Sequence, residues 1–173
     1  RHQPHACCIV PERREEVTTE GGLDAAGLHN HLKPIVDRLR EADIRVSLFI
    51  NADRRQLEAA VSLGAPVVEL HTGAYCEAAF ARENAKRDAE LARLAKAARD
   101  GVALGLEVHA GHGLTFDTVA PVAAMPELAE LNIGHFLIGE AIFIGLEASI
   151  RKMRAAMDEA RGGARATKTK DQA

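Results

Sequence analysis

Two histidines and two glycines stand close together in the stretch EVHAGHGL. His112 lies between Gly111 and Gly113, just past an apolar run, so its imidazole could reach a bound substrate. Histidine titrates at about pH 6.5 in water and therefore suits proton transfer at neutral pH. Glycine N–H groups can approach an anion closely. The stretch therefore allows three interpretations: a metal site, a phosphate cradle with a proton-transferring histidine, or a simple turn.

Four histidines fall near the ends of apolar runs and could be metal ligands: His71, His109, His112 and His135. Catalytic zinc normally takes three protein ligands, often with two of them on one short element. His109 and His112 are three residues apart, so an extended chain would point their side chains to opposite faces. We therefore predict that these histidines do not form a metal site.

A carboxylate and a histidine share one face of another apolar run, VVELH. Alternate side chains of a strand point the same way, which puts Glu69 and His71 on one face, and likewise Glu107 and His109. A buried carboxylate costs several kcal/mol unless it is paired or functional. Two interpretations of Glu69 follow, namely a pair with Arg45 or a histidine, and a catalytic role.

Five short apolar runs bounded by proline and glycine predict strands that are buried on both faces. Helical patterns lie between them, and this alternation indicates a parallel α/β architecture. The candidate residues follow strand ends, where such folds build their sites. A small open sheet fits the pattern, and so do five units of a (β/α)8 barrel, which takes about 250 residues when complete. The predicted strands are Ala6–Val10, Arg45–Ile50, Val67–His71, Leu106–Ala110 and His135–Gly139.

The segments between the strands carry helix signals. Asp53 with Gln56 resembles a capping box, and Gly64 is placed to end the same helix. A helix rich in Ala, Glu, Lys and Arg is predicted over Arg82–Arg99. A last helix, from about Ala141 to Ala160, would turn its apolar side chains inward at helical spacing.

Composition excludes several classes of protein. The net charge is −3, and the 22 Lys and Arg residues are dispersed with one Tyr and no Trp beside them, so we expect no nucleic-acid partner. The three cysteines form neither a disulfide framework nor a Cys-x-x-Cys knuckle. Apolar runs stay short of the roughly 18 residues that cross a bilayer, and no signal pattern is present, so a cytoplasmic protein without a membrane partner is expected. The polar tail 162–173 is expected to be disordered.

Five long motifs together resemble the pyridoxine 5′-phosphate synthase family, and they are collinear from about His5 to Arg161. The resemblance implies a (β/α)8 TIM barrel that is usually a homo-octamer. It also implies condensation of 3-amino-2-oxopropyl phosphate with 1-deoxy-D-xylulose 5-phosphate, with no metal or organic cofactor. The motifs are CCIVPERREEVTTEGGLD, VSLFINAD, GAPVVELHTGAY, GLEVHAGHGLT and ELNIGHFLIGEAIFIGL.

The resemblance also implies roles for individual residues of these motifs. His112 would be a proton donor, and Glu69 would stabilise a transition state. Four further residues would bind the phosphorylated substrates: Thr18, Gly113, Gly134 and His135.

The family carries three further strands, with a catalytic base, ahead of the CCIVPE motif. We therefore expect residues 1–161 to form a partial barrel of the fourth to eighth strands. Such a piece, which begins at Arg1 without a methionine, is expected to be inactive alone. A noncatalytic phosphate-binding partial barrel and a metal-dependent barrel hydrolase remain the alternatives.

Overall fold

The structure, a computed structural model, describes residues 3–11 and 21–162. In these two ranges five strands alternate with helices, as the sequence predicts. The strands are β1 (Ala6–Ile9), β2 (Arg45–Ile50), β3 (Val67–His71), β4 (Glu107–Gly111) and β5 (Leu128–Asn132). The helices are α1 (His29–Glu41), α2 (Arg54–Leu63), α3 (Gly73–Phe80), α4 (Asn84–Ala103), α5 (Val119–Ala123), α6 (His135–Ile144) and α7 (Leu146–Ala160).

All neighbouring strands are parallel, and their spatial order, β1-β2-β3-β4-β5, is the order of the chain. An open doubly wound sheet reverses its strand order at a switch point, whereas a barrel adds each new strand on the same side. The observed order has no reversal. It therefore fits an arc of a barrel better than it fits a small doubly wound sheet.

The two faces of the sheet differ in chemistry because side chains alternate along each strand. One face is apolar, and the helices cover it: Val46, Leu48, Val68, Leu70 and Val108 belong to the same buried core as Leu57 and Leu94 of the helices. Register places mainly polar side chains on the opposite face: Cys8, Ser47, Glu69, His71, Glu107, His109, Glu130 and Asn132. This polar face is what the candidate site uses.

The predicted fifth strand, His135–Gly139, is wrong. Those residues begin α6, and the strand lies earlier, at Leu128–Asn132. A short continuous apolar run does not distinguish a strand from an apolar helix, and the true strand is less apolar, with Leu128 buried but Glu130 exposed. The predicted last helix is in fact two helices, α6 and α7, separated at Gly145.

The predicted cap of α2 is confirmed at both ends. The Asp53 side chain accepts a hydrogen bond from the Arg55 N–H at 2.7 Å, and Gly64 ends the helix in the left-handed conformation. Gln56 does not complete the capping box. Instead it donates to Asp24 Oδ1 at 2.9 Å and accepts from the Ala26 N–H at 3.1 Å, which fastens the segment before α1.

Two predictions fall outside the described residues, namely the role of Thr18 and the disorder of the tail beyond Gly162. The helix predicted over Arg82–Arg99 is α4, displaced by two to four residues. None of the helices in the described part of the chain combines the length and apolar character needed to cross a bilayer.

Candidate functional site

A cavity of about 440 Å³ opens at the carboxyl ends of the strands, and its lining includes residues from all five strands or the segments that follow them. Its walls come from the polar face of the sheet, the segment after β4 and the start of α6. Five of the six predicted site residues line this one cavity: Glu69, His112, Gly113, Gly134 and His135. Glu69 and His135, which are 66 positions apart in the sequence, thus share one space.

Glu69 projects from the middle of β3 and is 9% exposed. Its Oε2 accepts a hydrogen bond from Asn132 Nδ2 at 2.9 Å, and the Cys8 sulfur lies 3.9 Å away. A Cβ atom at Gly111 would stand 2.4 Å from Glu69 Oε1, so this glycine leaves the space that the carboxylate fills. Burial raises the pKa of Glu69, and the bond from Asn132 partly opposes that effect.

Of the two interpretations of Glu69, a pair with Arg45 does not form. Arg45 forms an ion pair with Glu107, which also contacts His109 Nε2 at 2.7 Å. The hydrogen bond from Arg45, with that from His109, lowers the pKa of Glu107 to about 2. Glu107 is therefore ionised and satisfied, whereas Glu69 has a neutral amide as its hydrogen-bond partner among the residues that the structure describes.

His112 follows β4 directly and has a positive backbone φ of 75°. Its ring centroid lies 5.0 Å from that of His71 and 6.0 Å from that of Phe49. Gly113 continues the left-handed turn with φ of 85°, and a Cβ there would approach the Cβ of Cys76 to 3.2 Å. The turn thus needs glycine at this position and presents the imidazole to the cavity.

His71 is half-buried between the rings of Phe49 and His112. Burial lowers its pKa to about 4, and the neighbouring His112 contributes in the same direction. A Cβ at Gly73 would lie 2.5 Å from His71 Nε2, so this glycine makes room for the ring. His71 is therefore neutral at pH 7 and acts as an uncharged wall beside His112.

His109 lies within β4, on the polar face of the sheet. It is 6% exposed, it contacts Glu107, and Glu130 Oε1 lies 3.7 Å from its Nδ1. In residues 3–11 and 21–162, no three His, Cys, Asp or Glu side chains are grouped so that they could hold a metal ion. The prediction that His109 and His112 point to opposite faces is wrong, because the chain is not extended at His112: the residue lies in the turn after β4, and its ring lies beside His71 of the polar face.

Gly134 and His135 lie at the N-terminus of α6, with Gly134 as the N-cap residue. Both are exposed, and in the part of the chain that the structure describes no atom lies within 4 Å of the position where a Gly134 Cβ would be. The first turn of the helix carries no acidic side chain. Free N–H groups and the helix dipole favour an anion at such a terminus.

Sequence reasoning missed two polar residues of the site, Thr72 and Asn132. Asn132 lies opposite Gly111 in the β4–β5 pairing and therefore reaches Glu69 across a strand that has no side chain at that point. Thr72 is buried beneath His112. In the motif NIGH only the glycine and the histidine were predicted to be site residues. A correct prediction of β5 would also have indicated Asn132, because strand alternation puts it on the same face as Glu130.

The family comparison and the comparison with curated proteins indicate one family. The family described as "Pyridoxal phosphate biosynthesis protein PdxJ" matches residues 1–159. A pyridoxine 5′-phosphate synthase of Jannaschia sp. is 66% identical over 160 residues, which are 92% of this chain and 64% of that protein. One of Rhodospirillum rubrum is 67% identical over 164 residues, 94% of this chain and 65% of that protein. This chain thus spans just under two thirds of the length of these relatives, and it belongs to the PdxJ family of pyridoxal phosphate biosynthesis proteins.

Proposed function

We propose that this chain carries a large part of the active site of a pyridoxine 5′-phosphate synthase. The reaction condenses 3-amino-2-oxopropyl phosphate with 1-deoxy-D-xylulose 5-phosphate and yields pyridoxine 5′-phosphate, phosphate and water. One observation supports this most directly: Glu69, His112 and the glycines of the two motifs line a single cavity at the carboxyl ends of parallel strands. That edge is where parallel α/β folds place their catalytic groups.

His112 is the proposed proton donor. Imine formation, elimination and ring closure require repeated proton transfers, for which a positioned imidazole is suited. Its ring lies against that of His71, which burial keeps neutral at pH 7. Glu69, fixed by Asn132 on one oxygen, is the proposed stabiliser of positive charge that develops in the transition state.

Phosphate binding is proposed at the start of α6 and at the turn after β4. Gly134 and His135 offer a helix N-terminus with open space beside it, and Gly113 exposes backbone beside His112. Thr18, which lies outside the described residues, is proposed to contact a substrate as well. The chemistry proposed for these residues uses no metal or organic cofactor.

The five strands are proposed to be the fourth to eighth of a (β/α)8 barrel, with the polar face lining its interior. The sequential parallel order supports this, because a barrel adds strands in that way. We further propose a cytoplasmic homo-oligomer, an octamer as the resemblance implies.

The role of His112 is tested by His112→Gln in a protein of the relatives' full length that carries this chain. Turnover should fall by about 10²- to 10⁴-fold, the usual contribution of a general acid, with substrate affinity less affected. His31→Gln, an exposed histidine of α1, is the matched control and should leave turnover unchanged. Unchanged turnover in His112→Gln would refute the proton-donor role.

An assay of the 173-residue chain itself distinguishes the noncatalytic phosphate-binding barrel from the synthase. The exposed start of α6 favours retained phosphate binding in this chain. Binding of inorganic phosphate without turnover in both the 173-residue chain and the longer protein would support a phosphate-binding barrel. Turnover in the longer protein alone supports the synthase.

A further inference from the structure

Thr72, at the junction of β3 and α3, is completely buried and uses its hydroxyl in an unexpected way. It occupies the N-cap position of α3, where a threonine side chain normally accepts a hydrogen bond from the helix. No such bond is made here. Instead Thr72 Oγ1 lies 2.8 Å from the Gly111 carbonyl oxygen and 2.5 Å from that of His112, and donates toward both.

The backbone N–H of Thr72 reinforces this attachment by donating to the Gly111 carbonyl at 2.9 Å. Both groups of one residue therefore hold the last residue of β4 and the residue after it. The attachment crosses 39 and 40 positions of sequence, so it ties one strand end to another. It is a tertiary contact, and it holds the turn that presents the His112 imidazole to the cavity.

His112 needs such an attachment because its backbone lies in the left-handed region, with φ of 75°. Residues other than glycine rarely adopt this conformation, and those that do are held by their surroundings. If the backbone of His112 relaxed to an ordinary conformation, its ring would leave the position beside His71 and the cavity. The direction of the ring is thus set by contacts made to the carbonyl groups beside it.

We propose that Thr72 is a positioning residue, whose buried hydroxyl holds the His112 turn in the conformation that aims the imidazole at the substrate. This inference rests on the proposed role of His112 as proton donor. Thr72 would touch no substrate, since it acts through the backbone of its neighbour. Its loss should therefore lower kcat and leave KM nearly unchanged.

The test uses Thr72→Val, Thr72→Ala and Thr72→Ser. They are made in a longer protein that contains this chain and is as long as its relatives. Val keeps the shape without the hydroxyl, while Ser and Ala differ from each other by the hydroxyl alone. Val and Ala should lower kcat by about 10- to 100-fold, the cost of misplacing a reacting group by about an ångström. Ser should restore kcat to within a few-fold of the parent protein. The Ser and Ala pair decides the matter even if Val fails to fold.

Tyr75→Phe is the matched control. Tyr75 is also buried on α3, and its hydroxyl donates to the Thr118 carbonyl at 3.0 Å, in the same connection but away from the His112 turn. Its kcat should remain that of the parent. Equal kcat for Thr72→Ser and Thr72→Ala, or a loss confined to KM, would overturn the proposal. His112→Gln measured alongside separates the two ideas: if it lowers turnover as expected while Thr72→Ala keeps the kcat of the parent protein, the positioning role alone fails.

Discussion

Acidification should destabilise this fold partly through one residue, His71. In the folded chain its pKa is lowered to about 4, chiefly by burial, with the nearby His112 and Arg93 acting in the same direction. In an unfolded chain a histidine titrates at about 6.5. Between these two pH values the unfolded state therefore binds more protons than the folded state, so the free energy of unfolding falls as the pH falls.

The size of the effect follows from the two pKa values. A pKa difference of about 2.5 corresponds to about 3.5 kcal/mol, at roughly 1.4 kcal/mol per pKa unit. Because the ring is only half-buried, solvent screens part of this, and we expect about 1 to 2 kcal/mol. The contribution is fully present above about pH 6.5 and is lost as the pH falls through about 4.

Urea unfolding followed by circular dichroism, at pH 7.5, 5.5 and 4.5, measures this effect. The parent chain is compared with His71→Asn, which cannot titrate, and with His31→Asn, an exposed control. Between pH 7.5 and 4.5 the parent and the control should lose about 1 to 2 kcal/mol more than His71→Asn does. Any constant difference caused by the smaller side chain cancels in this comparison. If the curves of parent and His71→Asn run parallel over the whole range, the ring is not held neutral by burial.

Substitution by alanine should lower stability at Gly111 but weaken phosphate binding at Gly134. Gly111→Ala places a Cβ 2.4 Å from Glu69 Oε1 and 2.6 Å from the Asn132 carbonyl oxygen, so urea unfolding should show a loss of about 1 to 3 kcal/mol. Gly134→Ala meets no atom within 4 Å and should change stability by less than about 0.5 kcal/mol, yet weaken phosphate binding measured by calorimetry. Unchanged stability of Gly111→Ala would mean that the Glu69 carboxylate does not depend on the space left by Gly111. Undiminished phosphate affinity of Gly134→Ala would refute the proposed phosphate site at the start of α6.

Alternation along single strands was enough to predict much of the site. It placed Glu69 and His71 on one face, but it did not apply to His112, which lies in the turn after β4. Contacts between strands were not predictable in this way. The bond from Asn132 to Glu69 depends on the register of β4 and β5, and on a glycine that happens to lie between them.

Two other predictions failed for physical reasons. The apolar run from His135 suggested a strand because α6 has apolar residues on all sides, with Ile142 and Phe143 exposed, and so lacks the periodicity that marks an amphipathic helix. Arg45 was a reasonable partner for Glu69 by charge. It binds Glu107 instead. In the β3–β4 pairing Glu107 lies opposite Val67, which is two residues before Glu69 on the same face of the sheet.

Two of the three carboxylates on the polar face, Glu69 and Glu107, illustrate how position decides role. Glu107 is exposed and bound by Arg45, and its low pKa keeps it ionised as part of the scaffold. Glu69 is buried with a neutral amide partner, and burial moves its pKa in the opposite direction. A carboxylate whose charge is not already neutralised by a cation interacts more strongly with charge that develops in a transition state. Of the two, Glu69 is therefore the one suited to act on a substrate, and it is also the one that faces the cavity with His112.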